Sequence, residues 1–199
     1  MGGGRAGPQE EPGAMNSLDL KRTFFDTVRQ YEFASPLREA ALAEDLATWT
    51  RHLTYAVIKT CQSLGWQAAA KGQKLHFLPE ARYEYLTIDV MAFPQTSARW
   101  PMPVAAFELE NSRDRIAYSL WKLLCLRVPF RVLFCYRQDA SERDALIRLL
   151  QDEILLPHGT PPEGDTLLVV GSRDESSVFP YGFFRWWRLN PNTISFNVI

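Results

Sequence analysis

The sequence predicts an α/β protein: one mixed sheet of about five or six strands flanked by helices, in the order helix, three strands, helix, strand. Two observations predict this. The spacing of apolar residues switches along the chain between three or four residues, as in helices, and the alternation or short apolar runs of strands. The chain has 199 residues, 46% of them hydrophobic, which suffices for one ordinary core.

Met1 to about Asn16 is rich in Gly, Pro and Glu, has little to bury, and is expected to be a disordered tail, leaving residues 17–199 as a single domain. Ser17 to Tyr31 reads as a short mixed segment. Ser35-Pro36 opens a long helix, with Ser35 as N-cap and Glu39 in the first turn, running to about Leu64 before Gly65. Its expected buried face is Leu42, Leu46, Trp49, Leu53, Ala56, Val57 and Thr60. Trp66–Ala70 and Lys74–Leu78 read as a strand pair around Lys71-Gly72, and Tyr83–Phe93 as a further strand. Pro94, Pro101 and Pro103 bracket an irregular connection to a strand at Val104–Glu110.

Asn111 and Ser112 then offer cap side chains to a helix whose stripe is Ile116, Leu120, Leu123 and Leu124, ending before Pro129. A buried strand is expected at Phe130–Tyr136 and a helix at Ser141–Leu155, capped by Ser141. A short strand at Thr166–Val170 follows, and a closing edge strand at Phe183–Leu189.

Composition narrows the function classes. Lys and Arg number 22 against 23 acids, so no overall positive field exists to hold a polyanion, and any such contact must be local. Cys61, Cys125 and Cys135 show no zinc spacing and read as reduced core thiols. No apolar run is long enough to span a bilayer and no secretory signal is evident, so a cytoplasmic, non-membrane protein is expected. Gly171-Ser172-Arg173 lacks a nucleophile elbow's second glycine, and there is no Gly-rich phosphate loop with lysine. His52, His76 and His158 have no metal-motif spacing.

The informative chemistry is acidic. Asp89 interrupts the apolar run Ile88-Asp89-Val90-Met91, and Glu108 and Glu110 lie within and at the end of Val104-Ala-Ala-Phe-Glu108-Leu109-Glu110. Carboxylates placed in apolar strands are costly unless a cation or proton meets them. Alternation puts Glu108 and Glu110 on one face, with Phe107 and Leu109 on the other. If the Tyr83–Phe93 segment is the antiparallel neighbour, Asp89 comes opposite that pair. Asp89 with Glu108 then makes an oxygen cage for a hard ion such as Mg²⁺ or Mn²⁺, completed by water and a substrate phosphate, and Glu110 could complete it. An exposed edge strand would carry the same acids without a ligand.

Asp89, a turn, and Glu108-x-Glu110 leading into a helix resemble the core of the PD-(D/E)xK, or restriction endonuclease-like, nuclease superfamily, over roughly Ser35 to Tyr136. The resemblance implies a helix, a three-stranded meander, a second helix and a fourth strand. It also implies metal-dependent hydrolysis of phosphodiester bonds, with DNA the expected substrate. On it, Asp89 and Glu108 are metal ligands, and Glu110 stands in the usual lysine position, where some members carry glutamate. Lys122 is the candidate for a lysine migrated to the following helix, although the helical stripe would place an ordinary solvated lysine there too. Glu44, then Glu39, would be the acid that members often add from the first helix.

Arg113 and Arg115 are candidate nucleic-acid contacts near the entrance of the second helix. Arg185-Trp186-Trp187-Arg188 could stack bases, but a closing strand with one Trp inward and the other beside an arginine explains it more simply. The alternative to a nuclease is a nuclease-like fold without catalysis, serving as a binding or assembly module. A homodimer or a place in a larger complex is compatible with either.

Overall fold

The computed structural model describes residues 15–159 and 161–199. The tail expected at residues 1–16 falls almost wholly outside them. Asn16 already belongs to the first helix, α1 (Ser17–Val28), which the sequence reading missed. Asn16 and Asp19 form a reciprocal capping box. Leu20, Phe24 and Val28, spaced by four, bury one stripe.

The single helix expected from Ser35 is two helices, α2 (Tyr31–Leu42) and α3 (Leu46–Ser63), with Pro36 inside α2 rather than at its start. Glu44 takes a left-handed conformation, φ 55°, and Asp45 caps α3 by accepting the Thr48 N–H at 3.0 Å. That side-chain bond ends the helical run at Asp45. Leu42 and Leu46, expected in the core, are exposed beside the break. Trp49, Leu53, Ala56, Val57 and Thr60 are buried as expected.

Seven strands form one sheet in chain order: β1 (Trp66–Ala70), β2 (Val90–Pro94), β3 (Ala105–Leu109), β4 (Phe130–Arg137), β5 (Asp165–Ser172), β6 (Phe184–Asn190) and β7 (Ser195–Val198). β1–β2–β3 is an antiparallel meander, β3–β4 and β4–β5 are parallel, and β5–β6–β7 is antiparallel. The parallel pairs need crossovers. These are α4 (Arg113–Leu124) and α5 (Ala140–Leu150), the latter continued by a π-helical turn over Gln151–Leu155 and a last turn to His158. Asp139, not Ser141, caps α5, through the Glu142 N–H.

Two expected strands shrink. Lys74–Leu78 forms no strand; only an isolated bridge, Ala70 to Gln73, follows β1. Leu75 and Leu78 are buried as anchors of an irregular connection, so their apolar character reflects packing and not pairing. Tyr83–Phe93 yields strand only from Val90, because Leu86 and Thr87, at φ 54° and 57°, make a left-handed turn.

β6 is not the edge, since β7 covers it, and both Trp186 and Trp187 are buried on opposite faces. Cys125 is exposed at the end of α4, contrary to the core reading; Cys61 and Cys135 are buried. Among the described residues no helix is long and apolar enough to cross a membrane. α1–α3 cover one face of the sheet, and α4 and α5 cover the other.

Candidate active site

β3 places the site. Phe107 and Leu109 point into the α1–α3 core, which sends Glu108 to the α4 side, where it is 3% exposed. Val90 pairs with Phe107, so Asp89, one residue before β2, comes alongside Glu108, and its Oδ2 accepts the Leu109 N–H at 2.8 Å. Oδ1 takes no hydrogen bond from the described residues. The expected juxtaposition of Asp89 and Glu108 is therefore present.

α4 answers Glu108 with two side chains. Ser119 donates to Oε2 at 3.2 Å, and Lys122 Nζ lies 2.8 Å from Oε1. At that distance the ammonium is the counter-ion of Oε1. The ammonium also donates to the Thr87 carbonyl at 2.7 Å, using the left-handed turn as a bracket, and sits 5.8 Å from the Tyr118 ring centre. Lys122 is thus an ordered, mostly buried cation. The helical stripe alone allowed a solvated one.

Glu110 lines the same cavity, but both its oxygens are engaged. Oε1 accepts the Ser112 N–H at 2.8 Å, and Oε2 lies 3.3 Å from Arg115 Nε. It therefore stabilises the turn into α4. Glu44 does not reach the site; it pairs with Arg173. Glu39 accepts from Ser35. The contribution from α3 is Thr50, whose hydroxyl accepts from Asn111 Nδ2 at 3.1 Å. Arg115 lines the cavity, whereas Arg113 faces a neighbouring one. Ser119 and Thr50 were missed. Ser119-x-x-Lys122 was the available signal, since three-residue spacing puts both on one helix face.

The cavity bounded by Asp89, Glu108, Glu110, Thr50, Ser119 and Lys122 has a volume of about 550 Å³. Burial pushes the Asp89 carboxyl above its usual range, against the Leu109 N–H and Lys122, while Glu84 and Glu110 add to the rise. Burial also raises Glu108, helped by the Asp89 charge and opposed by Lys122 and Ser119. Desolvation is the larger cause for both carboxyls, and repulsion from neighbouring acids adds to it.

Among the described residues, no three His, Cys, Asp or Glu side chains converge as a metal cage. Mg²⁺ does not require one, because it commonly binds through one or two carboxylates with water and substrate phosphate completing the shell. Asp89, whose Oδ1 takes no hydrogen bond from the described residues, and Glu108, whose Oε1 faces the Lys122 ammonium, fit that partial donor set. Comparison with models of known protein families, with curated proteins and with solved structures finds no match for this chain.

Proposed function

We propose that the protein is a Mg²⁺- or Mn²⁺-dependent nuclease with a restriction endonuclease-like core, acting on DNA. The observation that carries this reading is the meeting of Asp89, Glu108 and Lys122 in one cavity at the carboxyl end of β3. The order α3-β1-β2-β3-α4-β4, an antiparallel meander followed by a parallel crossover, supports the same core.

Asp89 and Glu108 would hold the ion. Once bound, it supplies neutralisation of charge on the phosphoryl oxygens and a lowered pKa for water. The chain's own residues do the rest. Ser119 fixes the Glu108 carboxylate, and the Leu109 N–H fixes Asp89, so neither must reorganise. Lys122, braced by Thr87, would stabilise developing negative charge on a phosphate entering the cavity.

A second reading, a nuclease-like binding or assembly module without catalysis, is favoured by one observation. The Lys122 ammonium already offsets the Glu108 charge, so the fold tolerates the acids without an ion. Calorimetric titration with Mn²⁺ separates the two. The nuclease reading expects saturable binding that Glu108→Gln removes, and DNA cleavage that Asp89→Ala abolishes in a protein that still melts cooperatively. Cleavage that survives both changes, or absence of cleavage and Mn²⁺ binding in the wild type, overturns it.

A further inference from the structure

β4 ends in a buried cation that the proposed chemistry does not use. Arg137 is 8% exposed and lies on the α4/α5 face, as alternation from Leu133 and Cys135 requires. Its Nη1 donates to the Tyr136 carbonyl at 2.5 Å and, at 3.4 Å, to the Asn111 carbonyl. Its Nη2 is buried and has no partner. Among the described residues no carboxylate lies within ion-pair distance of it.

The other end of the same strand shows that this is unusual within the molecule. Arg131 is also buried, but Nε and Nη2 donate to the Leu126 carbonyl and Nη1 donates to that of Glu163, so each guanidinium nitrogen is engaged. Arg143, the third buried arginine, meets Asp144 and Glu175. Arg143 Nη1 is likewise buried without a hydrogen bond, but it has the Glu175 carboxylate 3.7 Å away; Arg137 is the one of the three with a buried nitrogen that has neither a hydrogen bond nor an ion pair. Its register neighbour on β5, Ser172, is 0% exposed and its Oγ is likewise unpartnered. A buried charge without a counter-ion calls for an acceptor, and since Nη2 and Ser172 Oγ are closed to solvent, an acceptor meets Arg137 at the small part of its surface left exposed.

A cavity of about 360 Å³ opens beside Arg137, lined also by Arg113, Ser141 and Glu142. The Glu142 carboxylate is turned to the Gln138 N–H. Asn111 and Ser112 line the cavity holding Asp89 and Glu108, and Arg113, the next residue, lines this one, so both lie at the carboxyl ends of neighbouring parallel strands, where α/β sheets bind ligands.

We propose that Arg137 and Arg113 form a binding site for a phosphoryl oxyanion. Resting on the nuclease reading, the site takes a backbone phosphate of the nucleic acid flanking the one in the Asp89/Glu108 cavity. Guanidinium geometry suits phosphate oxygens, and one such contact fixes where the strand lies without reading its sequence.

The test is calorimetric titration of inorganic pyrophosphate in EDTA, so that no divalent ion contributes, into the wild type, Arg113→Gln and Arg137→Met. A short DNA oligonucleotide serves as competitor. Pyrophosphate should bind the wild type saturably. Arg113→Gln should weaken it about tenfold or more, the loss expected of a charge-assisted contact, and Arg137→Met should abolish it. If Arg137→Met does not melt cooperatively, Arg113→Gln decides alone. No binding to the wild type, or equal binding to the wild type and the folded variants, overturns the site. Competition by DNA identifies the source as backbone phosphate. Pyrophosphate binding that DNA leaves untouched upholds the anion site with a free phosphate compound as its ligand and counts against the nuclease reading. A failure to bind Mn²⁺ or cleave DNA would strike that reading alone.

Discussion

The two faces of the sheet are built from different materials. Under α1–α3, Phe24 stands among Phe134, Phe184 and Trp186 at ring-centre distances of 5.1, 5.0 and 5.5 Å, and Trp49 packs on Phe183 and Phe184. Under α4 and α5 the core is mostly aliphatic, with Ile116, Leu120, Leu123, Leu133 and Leu168, and it admits Glu108. The aromatic face is closed by ring packing, although α3 also lends Thr50 to the cavity at the end of β3. The aliphatic face ends, at the carboxyl side of the parallel strands, in polar groups held by one helix. The ring packing and the buried acid thus lie on opposite faces of a single sheet.

The strongest way to break that comparison is to damage the aromatic face. Phe24→Ala should cost about 4 kcal/mol in urea unfolding, the range for removing a fully buried ring. Mn²⁺ affinity of the protein that remains folded should be unchanged. A cost under about 1 kcal/mol would mean that the face collapses around the gap and is not the main source of stability.

A nearly equal effect is expected across the sheet, for a different reason. Lys122→Met leaves Glu108 as a buried anion facing Asp89 and should cost about 3 kcal/mol at neutral pH, as for other broken buried pairs. Adding Glu108→Gln should recover most of it. If the double variant is no more stable than Lys122→Met, the lysine contributes through packing and not through charge.

A smaller effect should appear as a pH dependence. Burial holds Asp89 and Glu108 above their ordinary values of 3.8 and 4.5, so the folded state binds the more protons in the window between those values and the raised ones. Their contribution to stability is fully present below the ordinary values and is lost as pH rises through the folded-state ones. Measured against Asp89→Asn/Glu108→Gln, the wild type should therefore lose stability as pH rises through that window. Saturating Mn²⁺ should reverse the loss, because binding to the folded state favours the ionised carboxylates. Parallel curves for the two proteins would remove burial as the cause.

The sequence disclosed what depends on near neighbours. Ile116, Leu120 and Leu123 repeat at helical spacing and Glu108 alternates with Phe107 and Leu109, so α4, β3 and the inward acid could all be read directly. Lys122 was legible as a position, while its brace on Thr87 was not, because that contact depends on a left-handed turn 35 residues away. The break before α3 was hidden because Leu42 and Leu46 keep helical spacing across Asp45. Leu75 and Leu78 looked like strand because an anchor and a strand both need apolar side chains. Glu44 could not be placed from α2 and α3 alone, since its partner, Arg173, comes from the far end of β5. Arg137 was invisible for the opposite reason: its significance lies in the partner it lacks.

The smallest expected effect bears on the residue that departs from the nuclease pattern. Glu110 accepts the Ser112 N–H at the start of α4, where Ser112 itself makes no side-chain cap. Its pairing with Arg115, whose side chain is 71% exposed, adds little in water. Glu110→Ala should thus cost about 1 kcal/mol, the usual loss of a helix-cap acceptor, whereas Glu110→Gln keeps an oxygen for the N–H and should cost less than about 0.5 kcal/mol. On the proposed reading, in which Asp89 and Glu108 hold the ion, Mn²⁺ affinity should follow neither change. A Glu110→Gln protein of wild-type stability that had lost its Mn²⁺ affinity would make Glu110 a third ligand. The cap would then have to open when the ion binds, and the structure described would be the resting arrangement of a three-carboxylate site.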